Sequence, residues 1–489
     1  MSYLAPPTLN FLFANRVKWT SGHDSYPIWS SEPDIAAIKG VFASELLADD
    51  SQHLDISIRY LANGANHKVY EASHSSWPMT YHLRIAIPLD PCLKMESEMA
   101  TLEFLRRMTT VPVAKLIAWS SRTDEGLGYE WCLVEKIPGV ELREVWRKVP
   151  REKKVDIARA MATFMAQIWE PTVKFPQIGS LYLSTQQQRE NGPSGPASNV
   201  SPRKVKGDES QQLEFFIGPI VDGTFFTGRR RYLDSTRGPY DCCHDWLKAL
   251  IEIEQEFLRS AKVVLDSRSQ APTEYQEPEA WTKVVPQDIE VEEEYFPDEY
   301  DSMMANCEAY LRVLPKVFPK NEYSVGDRRY ALHHCDLRSA NILVDPESFD
   351  ITGIIDWEQT SALPTWYCQH YPMFINDTNI LEDEEPPIPS TYDEQEKSYN
   401  RVRVARRDWW HNNLLRQKFD QRLSELGWID WLPNSPRDKI KSSFIQGIAD
   451  LSDDWEIAKD RLAAIETMLD DEEKSESSVM VSSTACHES

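Results

Sequence analysis

The sequence predicts an α+β protein, and three observations carry that prediction. Alternating apolar residues between 54 and 87, LDISIRYLANGANHKVYEAS and the strand after it, read as successive strands broken at Asn63-Gly64-Ala65-Asn66. Helical periodicities follow, first over 95–107 and then over 155–168. Far downstream, residues 330–358, YALHHCDLRSANILVDPESFDITGIIDWE, read as strand, loop, strand, tight turn and strand, ending at the carboxylate of Asp356. Strands gathered ahead of helices form the α+β pattern.

The chain of 489 residues has room for about two to four average domains or one two-lobed unit with inserts. Its hydrophobic content of 41%, with 16 Trp, supplies a sizeable core. No apolar run approaches about 18 residues, so no membrane span is expected. The stretch MSYLAPPTLNFLFANRVKW has no basic leader before an apolar core, which disfavours secretion and places the chain in the cytoplasm; an amphipathic mitochondrial signal remains open. The 8 cysteines form no Cys-x2-Cys pair, and the adjacent Cys242-Cys243 suits neither a disulfide nor a zinc clamp, so reduced thiols are expected. A net charge of −25 argues against a nucleic-acid partner and tolerates a cationic substrate.

Residues 1–50 read as an N-terminal extension in which 31–34 cap a helix over 35–47. At the turn beyond it, Gly64 permits a conformation in which backbone N–H groups face phosphate. In the strand over 81–87, Arg84 lies between apolar residues, and a buried charge of this kind needs a partner. The helix MESEMATLEFLRR supplies one: Met95, Met99, Leu102 and Leu105 share a face, and Glu98 lies beside it, with Glu96 as its competitor. The strand over 129–134 then ends in Glu135-Lys136-Ile137-Pro138-Gly139, a segment suited to crossing between layers. Helices follow near 142–146 and 155–168.

Residues 184–212 are rich in Ser, Gln, Pro and Gly and cannot bury enough apolar surface to offset their ordering entropy, so a disordered insert is expected. Arg229-Arg230-Arg231 reads as a solvated loop or as a cradle for an anionic acceptor. A helix over about 244–265 leads to a second insert, 266–301, whose acidic run repels itself into an extended strip or grips a cation. Helices are expected near 303–319, 401–426 and 438–469, an acidic, proline-rich loop over 381–396, and a disordered acidic tail over 470–489.

The chemistry concentrates in 330–356. His334-x-Asp336-x4-Asn341 forms a loop, Asn341 opens a strand, and the next strand delivers Asp356 to the same end. Asp336 can accept a proton from a substrate hydroxyl, while Asn341 and Asp356 are hard oxygen ligands suited to Mg2+. This stretch resembles the catalytic and metal-binding loops of protein-kinase-like phosphotransferases. Trp357-Glu358 resembles the aminoglycoside phosphotransferase and choline kinase group more than the Phe-Gly of protein kinases, although Cys335 stands where many small-molecule members carry glycine. The order Ile178-Gly179-Ser180-Leu181-Tyr182, Ile217-Gly218-Pro219-Ile220, Arg237-Gly238-Pro239-Tyr240, Asp245-Trp246-Leu247 resembles fungal members with long inserts.

The resemblance implies a two-lobed protein-kinase-like fold, with a small antiparallel-sheet N-lobe over 51–137 and a larger, mainly helical C-lobe over 138–469 carrying the catalytic hairpin. It implies that Gly64 and Asn66 cover the phosphates of ATP, or alternatively GTP, that Arg84 held by Glu98 pairs their charge, and that the main chain at Glu135 and Ile137 meets the base. Asp336 would be the base, His334 would brace the loop, and Arg338 would either steady the moving phosphoryl group or pair with an acidic loop. The implied acceptor is a hydroxyl on a small molecule. No long activation segment follows Asp356, which counts against a protein kinase. The alternative is a non-catalytic nucleotide-binding pseudokinase or scaffold, kept open by Arg in place of Lys at position 84 and by the loose glycine loop.

Overall fold

The computed structural model describes residues 17–19, 27–47, 55–64, 66–123, 126–169, 175–184, 204–206, 214–270, 296–320, 330–376 and 397–485. The first elements are the paired strands β1 (Val17–Trp19) and β2 (Pro27–Trp29) and helix α1 (Ile35–Leu46). Asp34 caps α1 by accepting the Ala36 N–H at 3.0 Å.

Six antiparallel strands make the N-lobe sheet. They are β3 (Ser57–Asn63), β4 (His67–Ser73), β5 (Tyr81–Ala86), β6 (Leu116–Ser120), β7 (Glu130–Glu135) and, from a later part of the chain, β10 (Lys204–Lys206). Their spatial order is β10-β6-β7-β5-β4-β3. Side chains alternate across a strand, and β5 shows what that does. Leu83 and Ile85 pack against Ile38 and Phe42 of α1 on one face. Arg84 is therefore turned to the opposite face, toward helix α2 (Leu93–Met108). The extension before the lobe thus contributes Ile38, Phe42 and Ala43 to the core on that face.

The chain crosses to the C-lobe at 136–139 and pairs there as β8 (Val140–Glu141). Helix α3 (Arg151–Trp169) buries Ile157, Met161 and Met165, the periodic face read from the sequence. Strand β9 (Gly179–Leu183) pairs with β11 (Phe215–Gly218), then helices α4 (Cys243–Gln270) and α5 (Phe296–Val317) pack together. The segment over 330–364 follows as β12 (Tyr330–His333), β13 (Ile342–Val344), β14 (Ile351–Ile354) and β15 (Ser361–Pro364). These strands belong to two sheets, ordered β11-β9-β15-β12 and β14-β13-β8, so the loop over 334–341 bridges one sheet to the other. Helices α6 (Lys397–Glu425), α7 (Pro436–Asp453) and α8 (Trp455–Ala485) complete the lobe. A continuous core joins Phe104 of α2, Met161 of α3, Tyr310 of α5, Leu332 of β12, Phe419 of α6 and Phe444 of α7.

Four expectations change. Within 184–212, residues 204–206 form a strand on the N-lobe sheet edge, because β6 offers an open row of backbone groups there, while 185–203 and 207–213 lie outside the described residues. The second insert is narrower than 266–301, since α4 runs to Gln270 and α5 begins at Phe296; the acidic residues at 288–294 and the loop over 381–396 lie outside the described residues. The helix expected over 438–469 is two, broken at Asp454, whose side chain accepts the Ile457 N–H at 3.1 Å and so starts a new helix. The last helix continues past Asp470 to Ala485. Among the described residues no helix is long and apolar enough to cross a membrane.

Candidate active site

The catalytic loop is held by its own short-range bonds. His334 Nε2 lies 3.1 Å from the Ile355 carbonyl, and its Nδ1 accepts the Asp336 N–H at 3.2 Å. That pattern requires the proton on Nε2, and burial pushes the imidazole down to about 4, so it stays neutral. Its ring lies 4.5 Å from Trp357, whose Nε1 donates to the Ile354 carbonyl at 2.9 Å. Burying that indole contributes about 1.5–3 kcal/mol, which fastens the end of β14 to the loop. His334 is a brace in geometry as well as in sequence.

Asn341 Nδ2 donates to the Asp336 carbonyl at 2.8 Å and to Asp336 Oδ2 at 3.0 Å. Its own main-chain carbonyl accepts the Ile355 N–H at 2.9 Å. Arg338 Nε lies 2.8 Å from the same Oδ2; the acidic runs at 288–294 and 381–396 lie outside the described residues. Both donors take the same oxygen of Asp336. Asp356 has φ 67, a left-handed conformation that Asp adopts more readily than most residues other than glycine. Burial and the neighbouring Glu358 push its carboxyl above the ordinary range.

Arg84 donates to Glu98, and its other terminal nitrogen lies 3.8 Å from Asp356 Oδ1. Burial opposes the guanidinium charge, and Glu98 with Asp356 more than offsets it. Glu96, the competitor, accepts from Ser121 Oγ at 3.0 Å instead. Glu98 Oε2 is buried without a hydrogen-bond partner, so one carboxylate oxygen remains to be satisfied.

At the turn, Gly64 donates its N–H to the His67 carbonyl at 2.8 Å. A Cβ there would meet only that carbonyl at 3.5 Å, an ordinary contact, so the turn does not demand glycine. Asn66 reaches across the cleft, its Nδ2 donating to Glu358 Oε1 at 2.8 Å.

Sequence reasoning missed three residues beside this set. Lys94 donates to Glu358, and His67 Nδ1 lies 3.3 Å from the same Glu358 oxygen. Burial, with Lys94 and Arg84, holds His67 well below its ordinary value and therefore neutral. Burial pushes the Glu358 carboxyl up, and the Lys94 ammonium with the hydrogen bond from Asn66 more than offsets it, so the group is held low. One sequence signal was available: Lys94 is a cation in the first turn of α2, against the helix dipole, and it needs a carboxylate nearby.

The crossing segment is equally local. The Glu135 N–H is taken by the Lys115 carbonyl at 3.0 Å, and Lys136 N–H by Thr80 at 3.1 Å. Ile137 packs on Gly353 of β14, where a Cβ would lie 2.7 Å from Ile137 Cδ1. On the far side, Arg237 binds Asp90 through two bonds of 2.7 and 2.6 Å, and Tyr240 bridges to Ile178. Arg230 and Arg231 are not solvated. Arg230 pairs with Glu254 at 2.6 Å, and Arg231 is buried and donates to the Pro88 carbonyl at 2.9 Å.

The family model described as phosphotransferase enzyme family matches residues 57–367, from the first residue of β3 through the catalytic segment to Tyr367. The chain belongs to this family. The matched span contains every site residue named above and stops before α6, α7 and α8. Relatives include a subtelomeric hrmA-associated cluster protein of Aspergillus fumigatus, 26% identical over 61% of this chain and 56% of that one. The altered inheritance of mitochondria protein 9 of Lodderomyces elongisporus is 26% identical over 43% of this chain and 34% of that one. The chain thus matches little more than half the length of the curated relatives at best. Among solved structures it is similar to choline kinase from Cryptosporidium parvum, with 12% identity, coverage of 90% and 96%, and a TM-score of 0.39. It is also similar to the aminoglycoside phosphotransferase APH(4)-Ia in complex with AMP-PNP and hygromycin B, with 12% identity, coverage of 88% and 98%, and a TM-score of 0.36.

Proposed function

We propose that this family member transfers the γ-phosphoryl group of a nucleoside triphosphate, ATP or GTP, to a hydroxyl of a small molecule. The observation that carries the reading is the meeting of Asp336, Asn341 and Asp356 with the Arg84–Glu98 pair across one cleft. Asp336 Oδ1 would take the hydroxyl proton while Oδ2 stays fixed by Asn341 and Arg338. Arg84 would pair with the phosphates, positioned by Glu98. The remaining Glu135 carbonyl and Ile137 main chain would meet the base.

The donor set also suits Mg2+. Asn341 Oδ1 and the Asp356 carboxylate are hard oxygen ligands, and Asp356 lies where burial and Glu358 leave negative charge in want of a cation. A bound magnesium ion would neutralise charge on the transferring phosphates. The protein's part is positioning and electrostatic stabilisation. A small acceptor is favoured because β15 begins at Ser361, directly after Trp357-Glu358-Gln359-Thr360, with no platform for a polypeptide.

The test is thermal unfolding with Mg·ATP or Mg·GTP, for the wild type and for Asp356→Ala. Ligand at a hundredfold excess over its dissociation constant should stabilise the fold by about 2.7 kcal/mol. The shift should require magnesium and disappear in the variant. No shift with either nucleotide would sink the reading and favour the scaffold alternative. A transfer screen with γ-labelled nucleotide against hydroxylated metabolites would then identify the acceptor.

A further inference from the structure

Three groups from two separate places in the N-lobe converge on one carboxylate of the C-lobe. Asn66 comes from the turn, His67 from β4 and Lys94 from the first turn of α2; all meet Glu358, two residues beyond Asp356. The Lys94 side chain is 3% exposed and that of Glu358 12%. The neutral His67 links them: its Nδ1 faces Glu358, and its Nε2 lies 3.5 Å from the Lys94 ammonium. Three ligand atoms of His67, Glu98 and Glu358 lie within 4.8 Å of one another, the kind of cluster that wants a cation, and the Lys94 ammonium is already beside two of them.

We propose that Lys94 and Glu358 form an interlobe latch that holds Asn66 and the start of β4 against the nucleotide site and keeps the two lobes closed before nucleotide arrives. The nucleotide consequence rests on the phosphotransfer reading; the latch itself does not. Lys94 and Glu358 are positioning residues, acting through Asn66 and through the seat of α2 that presents Glu98 to Arg84. Removing either charge leaves its partner buried and unpaired, which favours opening. The rival for Glu358 is direct metal ligation, and the two readings differ in sign at Lys94. A ligand freed of its ammonium should bind magnesium more tightly; a broken latch should bind nucleotide more weakly.

The experiment uses the full chain as wild type, Lys94→Met, Lys94→Arg, the isosteric Glu358→Gln and the Lys94→Met/Glu358→Gln double variant. Amide hydrogen exchange without nucleotide compares residues 63–73 with residues 116–135 of the same sheet as control. The latch predicts exchange at least roughly tenfold faster in 63–73 for Lys94→Met and Glu358→Gln, an opening change of about 1.4 kcal/mol, with an unchanged control and near-wild-type behaviour for Lys94→Arg. Unchanged exchange, or equal acceleration in both segments, overturns it. Should Lys94→Met fail to fold, Glu358→Gln carries the same comparison. In the second arm, Mg·ATP should bind roughly tenfold more weakly to each single variant, and no worse to the double, as expected for one shared interaction. Tighter magnesium binding by Lys94→Met overturns the latch in favour of ligation. A wild type that binds no nucleotide overturns the phosphotransfer reading, while the exchange arm judges the latch alone.

Discussion

The two walls of the cleft are built on different principles. On the C-lobe wall, Asp336 is fixed by Arg338 and Asn341, two and five residues away, and His334 is fixed by Ile355, 21 residues away. On the phosphate wall, Asn66 meets Glu358 across 292 residues of sequence and Lys94 meets it across 264. The first wall is one contiguous motif tied by its own backbone, so it survives any movement of the lobes. The second is made of contacts between the lobes, so on the latch proposal it depends on their closure. Catalytic positioning and nucleotide gripping should therefore fail separately.

Asp336→Asn breaks the first wall alone. It should lower transfer by about 10²–10⁴-fold while nucleotide affinity, read by titration, stays at the wild-type value. A large loss of affinity would mean that the two walls are not independent. Arg84→Ala is the converse test: nucleotide affinity should fall by at least roughly tenfold, as measured by calorimetry, with His334 and Trp357 still packed as judged by tryptophan fluorescence.

Gly139 sits at the joint between the walls. Its φ is 127, and a Cβ would lie 2.7 Å from the Val344 carbonyl oxygen. Gly139→Ala should cost about 1–3 kcal/mol in denaturant unfolding and weaken nucleotide binding and transfer together. Loss of only one function would place the joint elsewhere.

A pH test sharpens the wall on the α2 side. Glu130 accepts the Cys92 N–H at 2.6 Å just ahead of α2, and burial pushes its carboxyl up to about 8 from an ordinary 4.5. The folded chain then keeps a proton that the unfolded chain releases between those values, so stability falls as pH rises through that window. Glu130→Gln keeps the acceptor and removes the titration. It should match the wild type near about pH 4 and exceed it at about pH 8, a difference read from thermal unfolding across pH. Parallel curves would show that Glu130 is ionised in the fold.

Sequence legibility followed the same division. Asp336, Asn341, His334 and Asp356 were readable because a strand, a turn and a second strand bring them together within a few tens of residues. Arg84 and Glu98 were readable because strand alternation and helix periodicity each predict a face, although choosing Glu98 over Glu96 needed the packing of α2. Lys94, His67 and Glu358 were not assigned roles, since no period or spacing links a helix start, a strand and a loop so far apart in the chain. Arg231 looked like surface because a run of three arginines carries no sign of the Pro88 carbonyl that receives it.

What the sequence by itself determined is the α+β class and the local chemistry of the catalytic loop, because short-range hydrogen bonds and side-chain alternation are properties of neighbouring residues. What only the tertiary structure decided is the closure of the phosphate wall, the strand at 204–206 and the burial of the arginines. Each depends on which distant partner removes a charge or a backbone edge from water, and that is settled when the lobes pack.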